Sequence, residues 1–80
     1  MPRYRFEFME DLGDETVEGI ELQNDEEAHK EAVRCAREIM ADGVMEGVDR
    51  TGWLSRVFDE ATGRLVATVR FSDLLTKRPG

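Results

Sequence analysis

The chain has one cysteine, one histidine and no apolar run approaching the ~20 residues of a membrane span. Each scarcity excludes something. Cys35 on its own cannot close an internal disulfide, so no covalent staple holds the fold. His29 has no Cys, His or acidic partner at a metal-ligand spacing, which argues against both a metal centre and an acid/base pair. Basic residues are the minority, 11 against 18 acidic, for a net charge of −7. That balance opposes general attraction to phosphate backbones or anionic lipid and favours solubility. The opening Met1-Pro2-Arg3-Tyr4 leads into alternating aromatic and charged residues and lacks the apolar stretch of a secretion signal. A cytoplasmic location with no membrane partner is the expectation.

Catalytic patterns are missing too. There is no paired acid and base, nucleophile elbow, phosphate loop or ligand set, so neither an enzyme nor a cofactor is expected. A reactive thiol needs a helix N-terminus or a cationic neighbour, together with a base. Cys35 instead falls mid-helix on an apolar stripe and reads as a small buried hydrophobe. Glu10, Asp11, Asp14 and Glu15 do not follow the alternating ligand pattern of a calcium loop and read as a solvated turn.

What is present is the pattern of one small α+β unit. Eighty residues, 40% of them hydrophobic, suffice for one thin core. Residues 1–75 are expected to form a single α+β domain and 76–80 a flexible C-terminal tail. Tyr4, Phe6 and Phe8 alternate with Arg3, Arg5 and Glu7, so the three rings share one sheet face. A turn at Glu10–Glu15 leads to a weaker strand through Val17, Ile20 and Leu22, with Gly19 a candidate bulge.

Asn24 followed by Asp25-Glu26-Glu27 is a helix start, with a capping side chain and acids at the positive end of the helix dipole. Ala28, Ala32, Cys35, Ala36, Ile39 and Met40 form its apolar stripe. Gly43 and Gly47 place its end between Ala41 and Glu46. Two more strands, Trp53–Phe58 and Leu65–Phe71, flank a hairpin turn with Gly63 at a left-handed position. One helical turn is expected after Ser72 or Asp73. The order is ββαββ: a mostly antiparallel four-stranded sheet with one helix on one face.

If Asp59 pairs with Arg64, then Phe58 faces Leu65, Arg56 faces Ala67 and Leu54 faces Val69. Leu54, Phe58, Leu65, Ala67, Val69 and Phe71 then share the core face. Trp53, Ser55, Val57, Val66, Thr68 and Arg70 take the other. This register points Arg56 at the core, and a one-residue slip or a bulge would turn it outward.

The opening Met1-Pro2-Arg3-Tyr4 with its alternating aromatics, the acidic glycine-bearing turn, Glu18-Gly19-Ile20-Glu21-Leu22, the alanine-rich helix and the closing Ala67-Thr68-Val69-Arg70-Phe71 together resemble a family of small bacterial proteins of unknown function. The resemblance runs from residue 1 to about residue 75. It departs at Glu7 and Phe8, where members often carry His, and near Thr62, where this chain has one extra residue. It implies the same fold and a bacterial cytoplasmic origin. It brings no established activity, so no catalytic residue is carried over.

Function must then lie on a surface. Arg3, Arg5 and Arg70 are expected on the sheet face turned away from the helix, with Trp53, Val57 and Val66 as an apolar patch among them. Trp and Arg in such a patch are typical interface material. The expected role is a non-enzymatic interaction or regulatory module, self-associating as a homodimer or binding another protein. The alternative is single-stranded nucleic acid held by the Arg-bearing face. The net charge and the commitment of Tyr4, Phe6 and Phe8 to the core oppose it.

Overall fold

A computed structural model describes residues 1–10 and 13–75. Strands β1 (Arg3–Glu10) and β2 (Gly13–Glu21) form a hairpin, helix α1 (Asp25–Glu46) follows, and β3 (Leu54–Asp59) and β4 (Leu65–Arg70) form a second hairpin. A 3-10 turn, Phe71–Leu75, stands where one helical turn is expected. The sheet order is β2-β1-β3-β4 with every neighbour antiparallel, and α1 packs on one face. The ββαββ, α+β expectation therefore holds. The expected tail, 76–80, and Asp11 lie outside the described residues. Glu10, Asp14 and Glu15, expected in a turn, are instead paired strand residues: Glu10 ends β1 opposite Gly13, and Asp14 and Glu15 open β2 opposite Met9 and Phe8.

The core forms where the alternating rings of β1 meet the alanine stripe of α1. Tyr4, Phe6, Phe8, Ala28, Ala32 and Ala36 are all buried. Alanines at successive helical turns let the helix backbone lie close to the sheet, and the large β1 rings fill the space. Asn24 caps the helix, its Oδ1 accepting from the Glu27 amide at 2.9 Å. Gly19, at φ 74°, sits where two β2 residues oppose one on β1, which is the bulge expected of it.

The helix runs past Gly43 and stops at Gly47. Gly47 adopts φ 76°, and its amide donates to Val44 O at 3.1 Å while the Val48 amide donates to Gly43 O at 2.7 Å. This double closure satisfies carbonyls the helix would otherwise leave open. Gly43 itself is buried, because the chain folds back across it: a Cβ there would lie 2.7 Å from Val48 O and 3.0 Å from Arg50 Cδ. Arg50 then donates to Ile39 O at 3.0 Å and lies over the Trp53 ring at 5.1 Å.

The second hairpin corrects one expectation. Phe58 does face Leu65, and the Asp59 amide does donate to Arg64 O at 2.9 Å. The register then shifts: Val57 pairs with Ala67, Arg56 with Thr68, Ser55 with Val69 and Leu54 with Arg70, leaving Val66 without a partner. Against the expectation the two faces of β3 are reversed, and the bulge in β4 keeps Ala67 and Val69 on the core face opposite Val57 and Ser55. Val57 and Ser55 are fully buried, while Leu54 and Phe58, expected in the core, lie on the other side with Leu65.

The reason is the cost of the alternatives. Leu54, Arg56 and Phe58 move together, so burying them would take an arginine out of water. Burying Ser55 and Val57 with Trp53 leaves a neutral hydroxyl and the indole N–H without hydrogen-bond partners, a smaller cost than a buried charge. Desolvating a guanidinium costs far more than the gain from covering one phenyl ring.

Candidate functional site

No second layer covers the face of the sheet opposite α1 among the described residues. Strand alternation and pairing place its side chains in cross-strand rows. Asp14, Met9, Leu54 and Arg70 make one row across β2, β1, β3 and β4. Thr16, Glu7, Arg56 and Thr68 make the next. Arg5, Phe58 and Leu65 follow on β1, β3 and β4. Arg3 and Glu21 close the β1–β2 end as an ion pair at 3.5 Å.

The centre of this face is a charged and aromatic cluster. The Arg5 guanidinium lies 4.5 Å from the centre of the Phe58 ring, and that of Arg56 lies 6.0 Å away. Glu7 sits between the two cations, 3.3 Å from Arg5 Nε and 3.6 Å from an Arg56 Nη. The same Arg56 nitrogen reaches Met9 Sδ at 3.5 Å. Leu54, Phe58, Met9, Arg5, Glu7 and Arg56 are all half-buried by their own neighbours. Phe58 thus keeps a partly wet ring under two cations, an arrangement worth roughly 0.5–1 kcal/mol per exposed cation–π contact. Nε of Arg5 and Nε of Arg56 are enclosed and make no hydrogen bond. The face has apolar area and fixed charges of both signs.

The six residues expected to form an interaction surface are divided by the structure. Arg3, Arg5 and Arg70 lie on the open face as expected. Val57 is buried against the helix, and Val66 and Trp53 pack onto the core, Trp53 with its ring 6.1 Å from that of Phe71. Leu54, Phe58, Met9, Glu7 and Arg56 take their place. The signal that could have found them was Arg56 itself: an arginine between Leu54 and Phe58 ties that set to water.

The other chemistry-bearing groups are occupied or dispersed. Cys35 is half-buried, its Sγ 3.6 Å from Glu31 Oε2. Burial pushes its thiol up, and the Glu31 carboxylate adds to the shift, so it is disfavoured as a thiolate. His29 is exposed on α1 beside a shallow hollow whose walls include Val33, Arg34 and Arg37. Arg34 is held there by Glu31 and Glu38, each at 2.6 Å. All walls belong to one helix, so the hollow encloses nothing. Among the described residues no three His, Cys, Asp or Glu side chains converge as metal ligands.

A polar clasp ties the helix start to the sheet. Tyr4 Oη donates to Asp25 Oδ1 and an Arg64 Nη donates to Asp25 Oδ2, both at 2.9 Å. Burial raises the Tyr4 phenol, and its hydrogen bond to Asp25 raises it further. A phenol raised in the folded state contributes stability that is complete below the ordinary value, about 10, and lost as pH rises through the folded value. Tyr4 is the only tyrosine, so phenolate absorbance reports on it alone. In an alkaline titration its ionisation is expected above the ordinary range and together with loss of far-ultraviolet dichroism. Ionisation near pH ~10 with the fold intact would mean that the hydroxyl faces water.

The family description Domain of unknown function (DUF6894) matches residues 3–72. The chain belongs to this family. The match takes in all four strands, the helix and the start of the 3-10 turn, so the open face is formed wholly within the shared region. No curated protein and no solved structure matches the chain. Among the described residues no helix is long and apolar enough to cross a membrane.

Proposed function

We propose that the chain is a non-enzymatic, cytoplasmic interaction module that docks a protein on its open sheet face. One observation carries the reading: Phe58 lies half-buried on an uncovered face, beneath Arg5 and Arg56 and beside Met9 and Leu54. Aromatic, methionine and arginine side chains are the residues enriched in protein interfaces. Single-stranded nucleic acid is the poorer occupant. Stacking platforms use successive rings, and this face offers one ring, already faced by Arg5, with Glu7 at its centre and a net charge of −7 around it.

A photo-crosslinking residue separates this surface from its rivals. Thr68 is exposed on the open face opposite Arg56, whereas Met45 is exposed on the last turn of α1 beside Val44. Irradiation in the native host is expected to give discrete adducts from position 68 and none from position 45. Adducts from 45 alone, or none from 68, would reject the open face as the docking surface.

A further inference from the structure

We infer that the occupant of the open face is a second copy of this chain, related by a two-fold axis that runs parallel to the strands and passes between β1 and β3. This rests on the docking role proposed above and adds the identity and geometry of the partner.

The argument is the order of side chains in the rows. Such an axis lays β2 over the partner's β4 and β1 over its β3, and it matches each row with the same row reversed. In the first row, Asp14-Met9-Leu54-Arg70 then meets its own reverse. Asp14 opposes the partner's Arg70, and Met9 opposes the partner's Leu54. In the second row Glu7 opposes the partner's Arg56, and Thr16 the partner's Thr68. In the third, Arg5 opposes the partner's Phe58, repeating between copies the cation–π contact already made within one. Every acid in the first two rows meets an arginine, and the apolar pair nearest the axis meets an apolar pair. A face built to hold a polyanion would not place Glu7 and Asp14 among its arginines.

The geometry tolerates real sheets. Packed sheets cross at about 30°, which moves a corner residue such as Arg70 by about 5 Å, within an arginine's reach. Four strands about 4.8 Å apart and some six residues long give a footprint of roughly 400 Å² per copy before corrugation, about 800 Å² in total, below stable interfaces and within the range of weak, transient ones. The dimer is therefore expected to be weak, with dissociation in the micromolar range.

The test is a charge exchange between the two edges of the sheet. Asp14 and Arg70 belong to the outermost strands, roughly 14 Å apart by strand spacing, and cannot pair within one copy. Sedimentation over a wide concentration range should show a monomer–dimer equilibrium for the native sequence. Asp14→Arg and Arg70→Asp each set like charges against one another twice per dimer, so each should weaken association about tenfold or more. The double variant Asp14→Arg/Arg70→Asp restores both pairs and should recover near-native association. Both sites are exposed, and unchanged dichroism and thermal midpoints serve as the folding control.

A native chain that stays monomeric throughout overturns the inference, as does a dimer indifferent to either single change. Weakened single variants with no recovery in the double overturn the two-fold geometry. A short single-stranded oligonucleotide that binds the native chain and displaces the dimer assigns the face to nucleic acid instead. A monomer that still crosslinks a different protein from position 68 rejects only the self-pairing, whereas a monomer without adducts rejects the docking role as well.

Discussion

Phe6→Ala should lower folding stability by about 3–5 kcal/mol, close to the whole of what a chain this size possesses. Phe6 is 0% exposed and stands at the crossing of the fold's interactions. It pairs with Val17 on β2 and Val57 on β3, and its ring lies 6.5 Å from that of Phe8 beneath the alanine stripe. Removing the ring forfeits its transfer from water and leaves a cavity in the cluster it shares with Phe8, Val57 and the helix alanines. Ala28, Ala32 and Ala36 cannot extend into the gap, so little of the loss is recovered by collapse. Urea denaturation checks it: the midpoint should fall sharply, or the variant should be unfolded without denaturant. Phe58→Ala, only half-buried on the open face, should cost far less in the monomer. Equal losses at the two positions would mean that the faces of β3 are assigned wrongly.

Gly43→Ala should also destabilise, by about 1–3 kcal/mol, although alanine is the better helix former by up to ~1 kcal/mol. The local preference loses because the added methyl would meet Val48 O at 2.7 Å, a backbone atom that cannot rotate away. Val48 is fixed where it is by its own hydrogen bond to Gly43 O. Relieving the clash must open the helix end or lift Arg50 from Ile39 O and the Trp53 ring. Two readouts should therefore move together: the thermal midpoint falls, and Trp53 fluorescence changes at temperatures where the chain remains folded. A rise in the midpoint would show that the helix end gives way freely and that Gly43 is there by chance. Gly47 lies four residues further on, but its requirement is its left-handed backbone, and it has open space where a Cβ would project.

Much of this fold is legible in the sequence because its signals are local. Tyr4, Phe6 and Phe8 alternate with charges, and period two assigns them a face without knowledge of any partner. Asn24 and the acids after it announce the helix start, and Gly19 announces the bulge. The second hairpin is different. Leu54, Arg56 and Phe58 against Trp53, Ser55 and Val57 present two mixed sets, each with an aromatic and each with a polar residue. Arg56 is the one local hint, since it ties its set to water, but the strand pattern does not fix where β4 shifts to accommodate it. The proposed site inherited that ambiguity, which is why Arg3, Arg5 and Arg70 lie on the open face and Trp53, Val57 and Val66 do not.

The sequence by itself therefore determined the class of fold, the buried face of β1 and the ends of the helix. These follow from residue periodicity and from hydrogen bonds that span a few positions. The tertiary structure decided which side of β3 is inward and hence what the open face carries. That choice compares the desolvation of Arg56 with the burial of Ser55, and it is made only when β3 docks between β1 and β4 beneath the helix. The bulge at Val66 then lets β4 follow the face β3 has taken, a long-range consequence that no window along the chain contains.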